Sequence, residues 1–481
     1  MLVEKVIEKG IRISVEVEEI LKKSPYDDKL LEEILKTGKK YLQKEDIEKI
    51  MENKERILEK RVVIQKTSLF RPIAKEYSPD MEILGGDITG NSRTTGGVED
   101  FIEYFRNRYK KLSAMLRKID SKYPEIEIRN LKKCIGQNVK IIGMVANKKE
   151  TKKNNILVEM EDLTGIFKVV ISKQNERLFE LSEKLILDDV VAIRGKALDG
   201  LLIADDIEWP DMRVTREKKI AERDLAIAYL SDIHFGSNNF LAEYFEKFIS
   251  WIKGENGAEA LASKLKYIII AGDIVDGIGI YPNQEKELLV TDIYKQYKLF
   301  DDFVSRLPDY IEVIAIPGNH DAVRRGEPTP ALEKDLISAD ITSLGNPSNI
   351  KIEGLKHLIY HGTSMDSMIS AISSLSYKAP EKVMEELLKR RHLSPIYGGN
   401  QIVPEKTDYL VLSEEPDIFH TGHIHKNGYG QYRGTLMVNS GTFQARTEFQ
   451  IKQGHMPTPA IVPVYELKTA RLKTLNFASG G

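Results

Sequence analysis

Five short polar blocks, set among runs of apolar residues, constrain this chain more than any other feature. Four of the runs are rich in β-branched and aromatic residues, as buried strands are: 225–230, 267–271, 311–316 and 357–360. The blocks, in chain order, are Asp232-Ile233-His234, Gly272-Asp273, Gly318-Asn319-His320-Asp321, His361-Gly362 and Gly422-His423-Ile424-His425. Sites in α/β sheets are built beyond the carboxyl ends of strands, so residues far apart in sequence can converge there. The pattern predicts one site assembled from several strand ends.

The residue types in these blocks favour divalent cations. Carboxylate, carboxamide and imidazole groups suit Mn, Fe or Zn better than Ca, and one aspartate can bridge two ions about 3.5 to 4 Å apart. Two such cations lower the pKa of water and absorb charge on phosphoryl oxygens, so a phosphate ester can be hydrolysed without a nucleophilic side chain. The alternative is that these are ordinary loop residues, since Gly-Asp alone is common turn chemistry.

In order and spacing, the blocks resemble the calcineurin-like metallophosphoesterase superfamily over residues 222–476. The resemblance implies two divalent ions, with Mn²⁺ expected and Fe or Zn as alternatives. It implies a set of seven ligands: Asp232, His234 and His425 for the first ion, Asn319, His361 and His423 for the second, and Asp273 as the bridge. It also makes His320 the catalytic histidine and Asp276 the acid whose carboxylate orients it. An aspartate before Gly277 also starts turns, which is the alternative for Asp276.

The remaining histidines match none of the blocks, and we expect them to be packed side chains without a chemical role: His357, His392, His420 and His455. For His420, the expected place is the strand that leads to Gly422.

Charge balance and cysteine content exclude several classes of function. The 71 basic and 73 acidic residues nearly cancel, so the chain has no general basic coat for nucleic acid. Any contact with a polyanion must therefore be local, metal-mediated or delegated to a partner. Cys134 is the only cysteine, which excludes an internal disulfide and zinc fingers built on paired cysteines. No stretch has membrane-spanning length and the start lacks a signal-peptide core, so we expect a cytoplasmic protein without membrane contact.

Upstream of the blocks the residue pattern changes several times. We predict a small helical domain over residues 1–60, a linker over 61–97, a helical connector over 98–134, an OB-fold domain over 135–211 and a metallophosphoesterase domain over 222–476. The first prediction rests on apolar residues at helical spacing: Leu30, Leu31, Ile34, Leu35, Ile47, Ile50, Met51 and Ile57. Pro72, Pro79 and a glycine-rich run over 85–97 favour a linker or an extended segment. In the connector, basic residues beside an apolar helix face are either solvated or in contact with phosphates.

The OB-fold prediction rests on five short strand patterns, over 139–145, 156–161, 167–171, 190–195 and 201–207, with one helical segment near 176–184. A helix after the third of five strands is the plan of an OB barrel. The predicted loop 147–154 joins the first two strands and carries four candidate nucleic-acid-binding lysines: Lys148, Lys149, Lys152 and Lys153. A well-hydrated hairpin tip is the alternative, because no aromatic pair accompanies the lysines.

The order of helical module, OB barrel and phosphoesterase domain resembles the small subunits of archaeal family-D DNA polymerases, relatives of the B-subunits of eukaryotic replicative polymerases. Residues 86–90, 93–97 and 316–321 also look like that family. The resemblance implies a multidomain α+β fold whose α/β metallophosphoesterase sandwich has two mixed sheets flanked by helices. It implies a 3′–5′ proofreading exonuclease acting on single-stranded or mismatched DNA ends. A large catalytic subunit is the implied partner, and a sliding clamp is a further one.

Two other functions stay open. The same ligands would serve a free-standing phosphatase or phosphodiesterase, because fold and metal do not dictate the ester. The chain could instead be a catalytically silent structural subunit. The complete ligand set favours catalysis, because a buried cluster of charged groups is electrostatically expensive without bound cations.

Overall fold

The computed structural model describes residues 70–478 except 86, 120, 256 and 453, and residues 3, 5–6, 9–14, 17–18, 20–21, 34–35, 39, 41–42 and 44–47 before them. The chain divides into two compact units, Met1–Leu69 and Phe70–Gly481.

In the first unit, helical residues accompany a short parallel pairing of β1 (Arg12–Ile13) with β2 (Tyr41–Leu42). Ile34 and Ile47 are helical and buried, as the sequence predicted. The strand pair was not predicted, because strands of two residues are too short to leave a periodic pattern. Other residues used for the helical prediction lie outside the described ones: Leu30, Leu31, Ile50, Met51 and Ile57.

The second unit contains two six-stranded mixed sheets that form a sandwich. The first has the order β12-β11-β10-β9-β18-β19 and the second β16-β17-β15-β14-β13-β3. Strands of the first sheet are β9 (Ala226–Leu230), β10 (Leu265–Ala271), β11 (Glu312–Ile316), β12 (Thr342–Ser343), β18 (Ile461–Glu466) and β19 (Arg471–Asn476). Strands of the second are β3 (Met81–Ile83), β13 (Ser348–Ile352), β14 (Leu355–Ile359), β15 (Ile418–Thr421), β16 (Gly428–Tyr432) and β17 (Thr435–Asn439).

The sandwich places parallel strands at the centre of both sheets. Strands β9 to β12 run parallel to one another, as do β14, β15 and β17. Every residue of β9 and β10 is buried, which accounts for their mostly apolar sequence. Tyr229, Ile269 and Ile359 belong to the core between the sheets. Helices accompany the sheets: α3 (Ala242–Ile252), α4 (Glu259–Ala262), α5 (Ile293–Ser305), α6 (Met365–Ala371), α7 (Pro380–Arg390) and α8 (Glu448–Lys452).

A closed five-stranded barrel precedes the sandwich. Its strands run in the order β4-β5-β6-β8-β7: β4 (Asn138–Glu150), β5 (Ile156–Asp162), β6 (Gly165–Ile171), β7 (Val190–Leu198) and β8 (Leu201–Glu208). Helix α2 (Glu176–Glu183) follows the third strand, as an OB barrel requires. The barrel and the sandwich confirm the predicted multidomain α+β fold class. None of the described helices is both long enough and apolar enough to cross a membrane.

Over residues 61–97, where the sequence left a linker and an extended segment open, the described part includes an extended strand and packs onto the sandwich. β3 pairs with β13 as the edge strand of the second sheet. The Asp87 carboxylate accepts a hydrogen bond from Gly345 N, and Glu405 accepts from Ser92 and Arg93. The pairing of β3 with β13 joins residues more than 260 positions apart, so a local sequence pattern cannot reveal it. Residues 61–69 and 86 lie outside the described residues.

Helix α1 (Val98–Arg117) lies between the barrel and the sandwich, and two of its basic residues anchor it. Arg108 is fully buried, with Nε 2.9 Å from Asp408 Oδ2. Lys111 donates to the Asp408 carbonyl oxygen at 2.8 Å. These two side chains therefore serve neither as a solvated face nor as a phosphate contact. A 3-10 helix (Ile128–Cys134) leads from this connector into the barrel, and two others are Ile73–Glu76 and Gln284–Lys286.

Replacing Arg108 with Met should destabilise the protein strongly, because Asp408 would keep a buried charge without its main partner. We expect a loss of about 3–5 kcal/mol in the free energy of unfolding. Urea unfolding followed by circular dichroism measures this. The matched control is Arg106→Met on the same helix, whose exposed pair with Glu103 should contribute at most about 0.5 kcal/mol. Equal stabilities of the two variants would contradict the assignment.

Candidate metal centre

The five polar blocks meet at one place, and they form two groups of donor atoms. In the first group, ligand atoms of Asp232, His234 and His425 all lie within 4.8 Å of one another. Nε2 of His234 is 3.1 Å from Nε2 of His425, which in turn is 3.4 Å from Asp232 Oδ1. These are the three residues that the sequence assigned to the first ion.

The second group brings together Asn319, His361 and His423. Asn319 Oδ1 lies 2.9 Å from His361 Nε2 and 3.1 Å from His423 Nδ1. Asp273 stands between the two groups, with Oδ2 3.4 Å from His361 Nε2 and 3.9 Å from His234 Nε2. This is the position that a bridging carboxylate needs.

The backbone is strained at the donors. Five donor residues have φ between 50° and 68°, in the left-handed region that residues other than glycine rarely adopt: Asp232, His234, Asp273, His423 and His425. Such strain clusters at functional sites, where the surrounding structure imposes it. Here it allows two residues of one block, Asp232 and His234, to face the same group of donors directly after a strand.

The donor set fits divalent cations. Asp232 Oδ1 is buried and has no hydrogen-bond partner, although an unpaired buried carboxylate oxygen is costly. Beside it, the Nε2 atoms of His234 and His425 face each other. Their lone pairs repel each other unless a proton or a cation lies between them. Oxygen and imidazole donors in this mixture suit Mn, Fe or Zn.

Further side chains fix the rings of the ligands. His361 Nδ1 donates to the Ala271 carbonyl oxygen at 2.8 Å, which directs Nε2 into the site. The Gln450 amide lies 2.9 Å from His425 Nδ1. His423 Nε2 is 2.9 Å from Asp366 Oδ2, which leaves Nδ1 facing Asn319. Such partners set ring orientation and raise the basicity of metal ligands.

The structure corrects the predicted role of Asp276. Its carboxylate does not orient His320: Asp276 Oδ1 lies 3.0 Å from His234 Nδ1 and accepts from Gln444 at 3.0 Å. His320 Nδ1 instead donates to the backbone carbonyl oxygen of Asp276 at 2.7 Å. Asp276 thus acts on both histidines, through its side chain for His234 and through its backbone for His320.

Burial and the carboxylates set the charge state of the site. Burial opposes protonation of His361, but Asp273 outweighs it and raises the pKa of His361 to about 10. Burial also lowers the pKa of His234, but the Asp276 carboxylate has the larger effect and raises that pKa to about 8. Burial raises the pKa of Asp321 to about 6, with the Asp273 charge adding to it. Burial lowers the pKa of His320. The two clusters therefore attract positive charge, as cation sites do.

Three of the remaining histidines are packed side chains, as expected. Burial lowers the pKa of His357 and of His392 to about 4 and that of His420 to about 3, so these rings stay neutral. His420 lies in β15, the strand that leads to Gly422. His455 differs, because it lines the cavity beside the metal ligands.

Sequence reasoning missed several side chains that line this cavity: Tyr281, Asp366, Tyr377, Gln444 and Gln450. None of them belongs to a block that follows an apolar run, so no local pattern distinguishes them. Asp321 is the last residue of the third block, and the sequence predicts no role for it. Its carboxylate accepts from Gly318 N at 2.8 Å and from Ile274 N at 3.2 Å, which ties two ligand loops together.

The lysine-rich stretch of the barrel is mostly strand and not the predicted loop. β4 continues to Glu150, so only residues 151–155 form the turn before β5. Lys148 donates to the carbonyl oxygen of Leu185 at 2.9 Å, and burial lowers its pKa. Lys149, Lys152 and Lys153 are exposed. Three of the four candidate lysines are thus exposed to solvent, whereas Lys148 is engaged with the protein.

Comparison with known proteins identifies both domains. A model of the calcineurin-like phosphoesterase family matches residues 225–427, and one of an OB-fold nucleic acid binding domain matches residues 139–198. The DNA polymerase II small subunit of Archaeoglobus fulgidus is 47% identical over 79% of this chain and 77% of its own. The chain belongs to the small-subunit family of archaeal family-D DNA polymerases.

Other members are similarly close. The small subunit of Methanothermobacter thermautotrophicus is 41% identical over 85% of both chains. That of Thermoplasma acidophilum is 35% identical over 91% of this chain and 88% of its own. The family likeness therefore extends beyond the metal centre to the barrel and the connector.

Replacing Asp276 with Asn should weaken metal binding, because His234 would lose the carboxylate that holds its ring. We expect about a 10- to 100-fold loss of Mn²⁺ affinity, measured by isothermal titration calorimetry. Asp302→Asn changes an exposed aspartate on α5 and is the matched control. Wild-type affinity in Asp276→Asn would show that its carboxylate does not support the site.

The metal-free protein should become less stable as pH rises from about 6.5 to about 10. His234 and His361 have pKa values raised to about 8 and about 10 from an ordinary value of 6.5, so the folded state holds protons that the unfolded state has released. Their stabilisation is complete below pH 6.5 and is lost as the folded state titrates. Urea midpoints measured in EDTA should fall across this range. With Mn²⁺ present the decline should be much smaller, and parallel curves would contradict the charge assignment.

Proposed function

We propose that this small subunit is a two-metal 3′–5′ exonuclease that removes nucleotides from DNA 3′ ends for its polymerase, and that it also supports the large catalytic subunit. The observation that carries the proposal is the convergence of seven donor side chains with His320 beside them. His320 Nε2 lies 4.0 Å from the Asp273 carboxylate. A proton donor thus stands next to the place where a phosphodiester would meet the cations.

Each of the two cations would have its own set of protein ligands. Asp232, His234 and His425 would hold one cation, Asn319, His361 and His423 would hold the other, and Asp273 would bridge them. When bound, the two cations supply a nucleophilic water and stabilise charge on the phosphoryl oxygens.

His320 would protonate the departing 3′ oxygen. Its Nδ1 is occupied by the Asp276 carbonyl oxygen, so Nε2 is the nitrogen that faces the site. Burial lowers the pKa of this ring, and the negative charge of a bound phosphodiester would counter that effect by favouring the protonated form. The fixed ring and the charged substrate together make His320 a general acid.

The barrel would guide the DNA, and the partner would supply most of the affinity. The near-zero net charge of the chain argues against strong DNA binding by the chain alone. Exposed Lys149, Lys152 and Lys153 offer a local contact with the phosphate backbone. The relatives carry the name small subunit, which supports a large-subunit partner for this chain as well.

The proposal is tested by incubating the purified chain, alone and with its polymerase partner, with Mn²⁺ and a 5′-labelled single strand. Stepwise shortening from the 3′ end supports the exonuclease. Hydrolysis confined to small phosphoesters would favour a free-standing phosphatase or phosphodiesterase, and inertness in both preparations would favour a purely structural subunit. Addition of EDTA should stop the reaction.

Replacing His320 with Ala should lower turnover by about 10²- to 10⁴-fold while metal content stays close to that of the wild type. Asp273→Ala should lose both activity and metal, because it removes the bridge. Metal content is measured by mass spectrometry of the purified variants and activity by the strand assay. An unchanged cleavage rate in His320→Ala would remove that histidine from the role of acid.

A further inference from the structure

The cavity beside the metal ligands has two differently built sides. Its volume is about 250 Å³. On the side of His320, the lining includes Ile280 and Tyr281, and the Tyr281 ring centre lies 6.2 Å from that of His320. On the side of His423, the lining includes Tyr377 and His455. The proposed chemistry gives His320 a role on the first side and gives Tyr377 and His455 none on the second.

Tyr377 and His455 form a close ring pair. Their ring centres are 3.9 Å apart and the planes are inclined by 34°. Both rings are half-buried and line the cavity, so part of their surface remains accessible from it. Stacked or tilted aromatic rings provide a π surface on which a nucleobase can stack.

The ring pair is fixed to the metal ligands from two directions. Tyr377 interacts with Asp366, and the Asp366 carboxylate lies 2.9 Å from His423 Nε2. His455 donates its backbone N–H to the Gln450 carbonyl oxygen at 2.9 Å, and the Gln450 side chain contacts His425. The ring pair is therefore tied to Asp366 and Gln450, the two residues that orient His423 and His425.

In-line chemistry decides which nucleotide meets this pair. If His320 protonates the departing 3′ oxygen, the strand that carries this oxygen must leave on the His320 side. The terminal nucleotide keeps the phosphate through its 5′ oxygen and must occupy the remaining space. We propose that the base of the 3′-terminal nucleotide stacks on the Tyr377–His455 pair. This inference rests on the proposed exonuclease function and adds the subsite for the nucleotide that is released.

Such a subsite would treat the four bases alike and would require an unpaired end. Every base has a π face, so stacking tolerates any sequence. A base held in a duplex cannot reach a ring pair inside a cavity unless its pair opens, and opening costs least at a mismatch. The subsite thus links the geometry of the cavity to a preference for single-stranded or mismatched ends.

A binding experiment without metal tests the stacking directly. The full-length chain is titrated in EDTA into a single strand whose 3′-terminal base is the fluorescent analogue 2-aminopurine. Wild type should quench the fluorescence on binding. Tyr377→Ala and His455→Ala should lose most of the quenching, whereas His455→Phe and Tyr377→Phe, which keep a ring, should retain it. Tyr294→Ala removes an exposed tyrosine that does not line the cavity and is the matched control.

A kinetic experiment with Mn²⁺ distinguishes the stacking subsite from the exonuclease activity on which it rests. Wild type should cleave a strand with a terminal base about tenfold more efficiently than one with an abasic terminus, and His455→Ala should lose this preference mainly through KM. Cleavage with no preference in the wild type, or quenching that survives in both Ala variants, overturns the stacking subsite alone. Quenching in a wild type that cleaves no strand overturns the exonuclease and leaves the binding subsite standing.

Discussion

The burial of two carboxylates, those of Asp232 and Asp273, is the constraint on which the rest of the site depends. Both are almost completely shielded from water, and a buried anion is stable only with compensating positive charge. The surrounding imidazoles provide some of it by holding protons, as the raised pKa values of His234 and His361 indicate. A pair of divalent cations would provide more and would release those protons.

Holding these anions in place requires a rigid frame. The parallel strands β9, β10 and β11 end side by side, so the loops that follow them can carry Asp232, Asp273 and Asn319 to one point. Left-handed backbone at Asp232 and Asp273 then turns the side chains inward. Asp321 joins the loops by accepting backbone hydrogen bonds from two of them. The strain at the ligands is therefore held by the sheets and by loop-to-loop hydrogen bonds.

The barrel is fixed to the sandwich by buried ion pairs. Arg390 Nε of α7 lies 2.9 Å from Asp189 Oδ1 at the start of β7, and both side chains are buried. The Arg108 side chain of α1 adds its pair with Asp408 on the sandwich side. Buried ion pairs depend steeply on geometry, so they favour one orientation of the two domains. The surface of the barrel therefore keeps a fixed orientation relative to the metal centre.

Much of the centre follows from local sequence, because its ligands stand immediately after apolar strands and keep their order along the chain. The same is true of the barrel, whose alternating strands and single helix are visible without a structure. The supporting residues are different. Asp366, Gln450 and His455 lie near the ligands only through contacts between distant segments, and nothing in their neighbours marks them.

Contacts between distant segments also explain where the structure differs from the sequence-based predictions. Residues 81–83 resemble a linker because their strand partner, β13, lies far along the chain, and Asp276 was paired with His320 because sequence order does not say which atom of a residue faces which ring. The sequence by itself determined the kind of chemistry, through residue types and their spacing after strands. Only the tertiary structure decided which side chains orient the ligands and line the cavity, since hydrogen bonds and ring contacts depend on distances that packing alone sets.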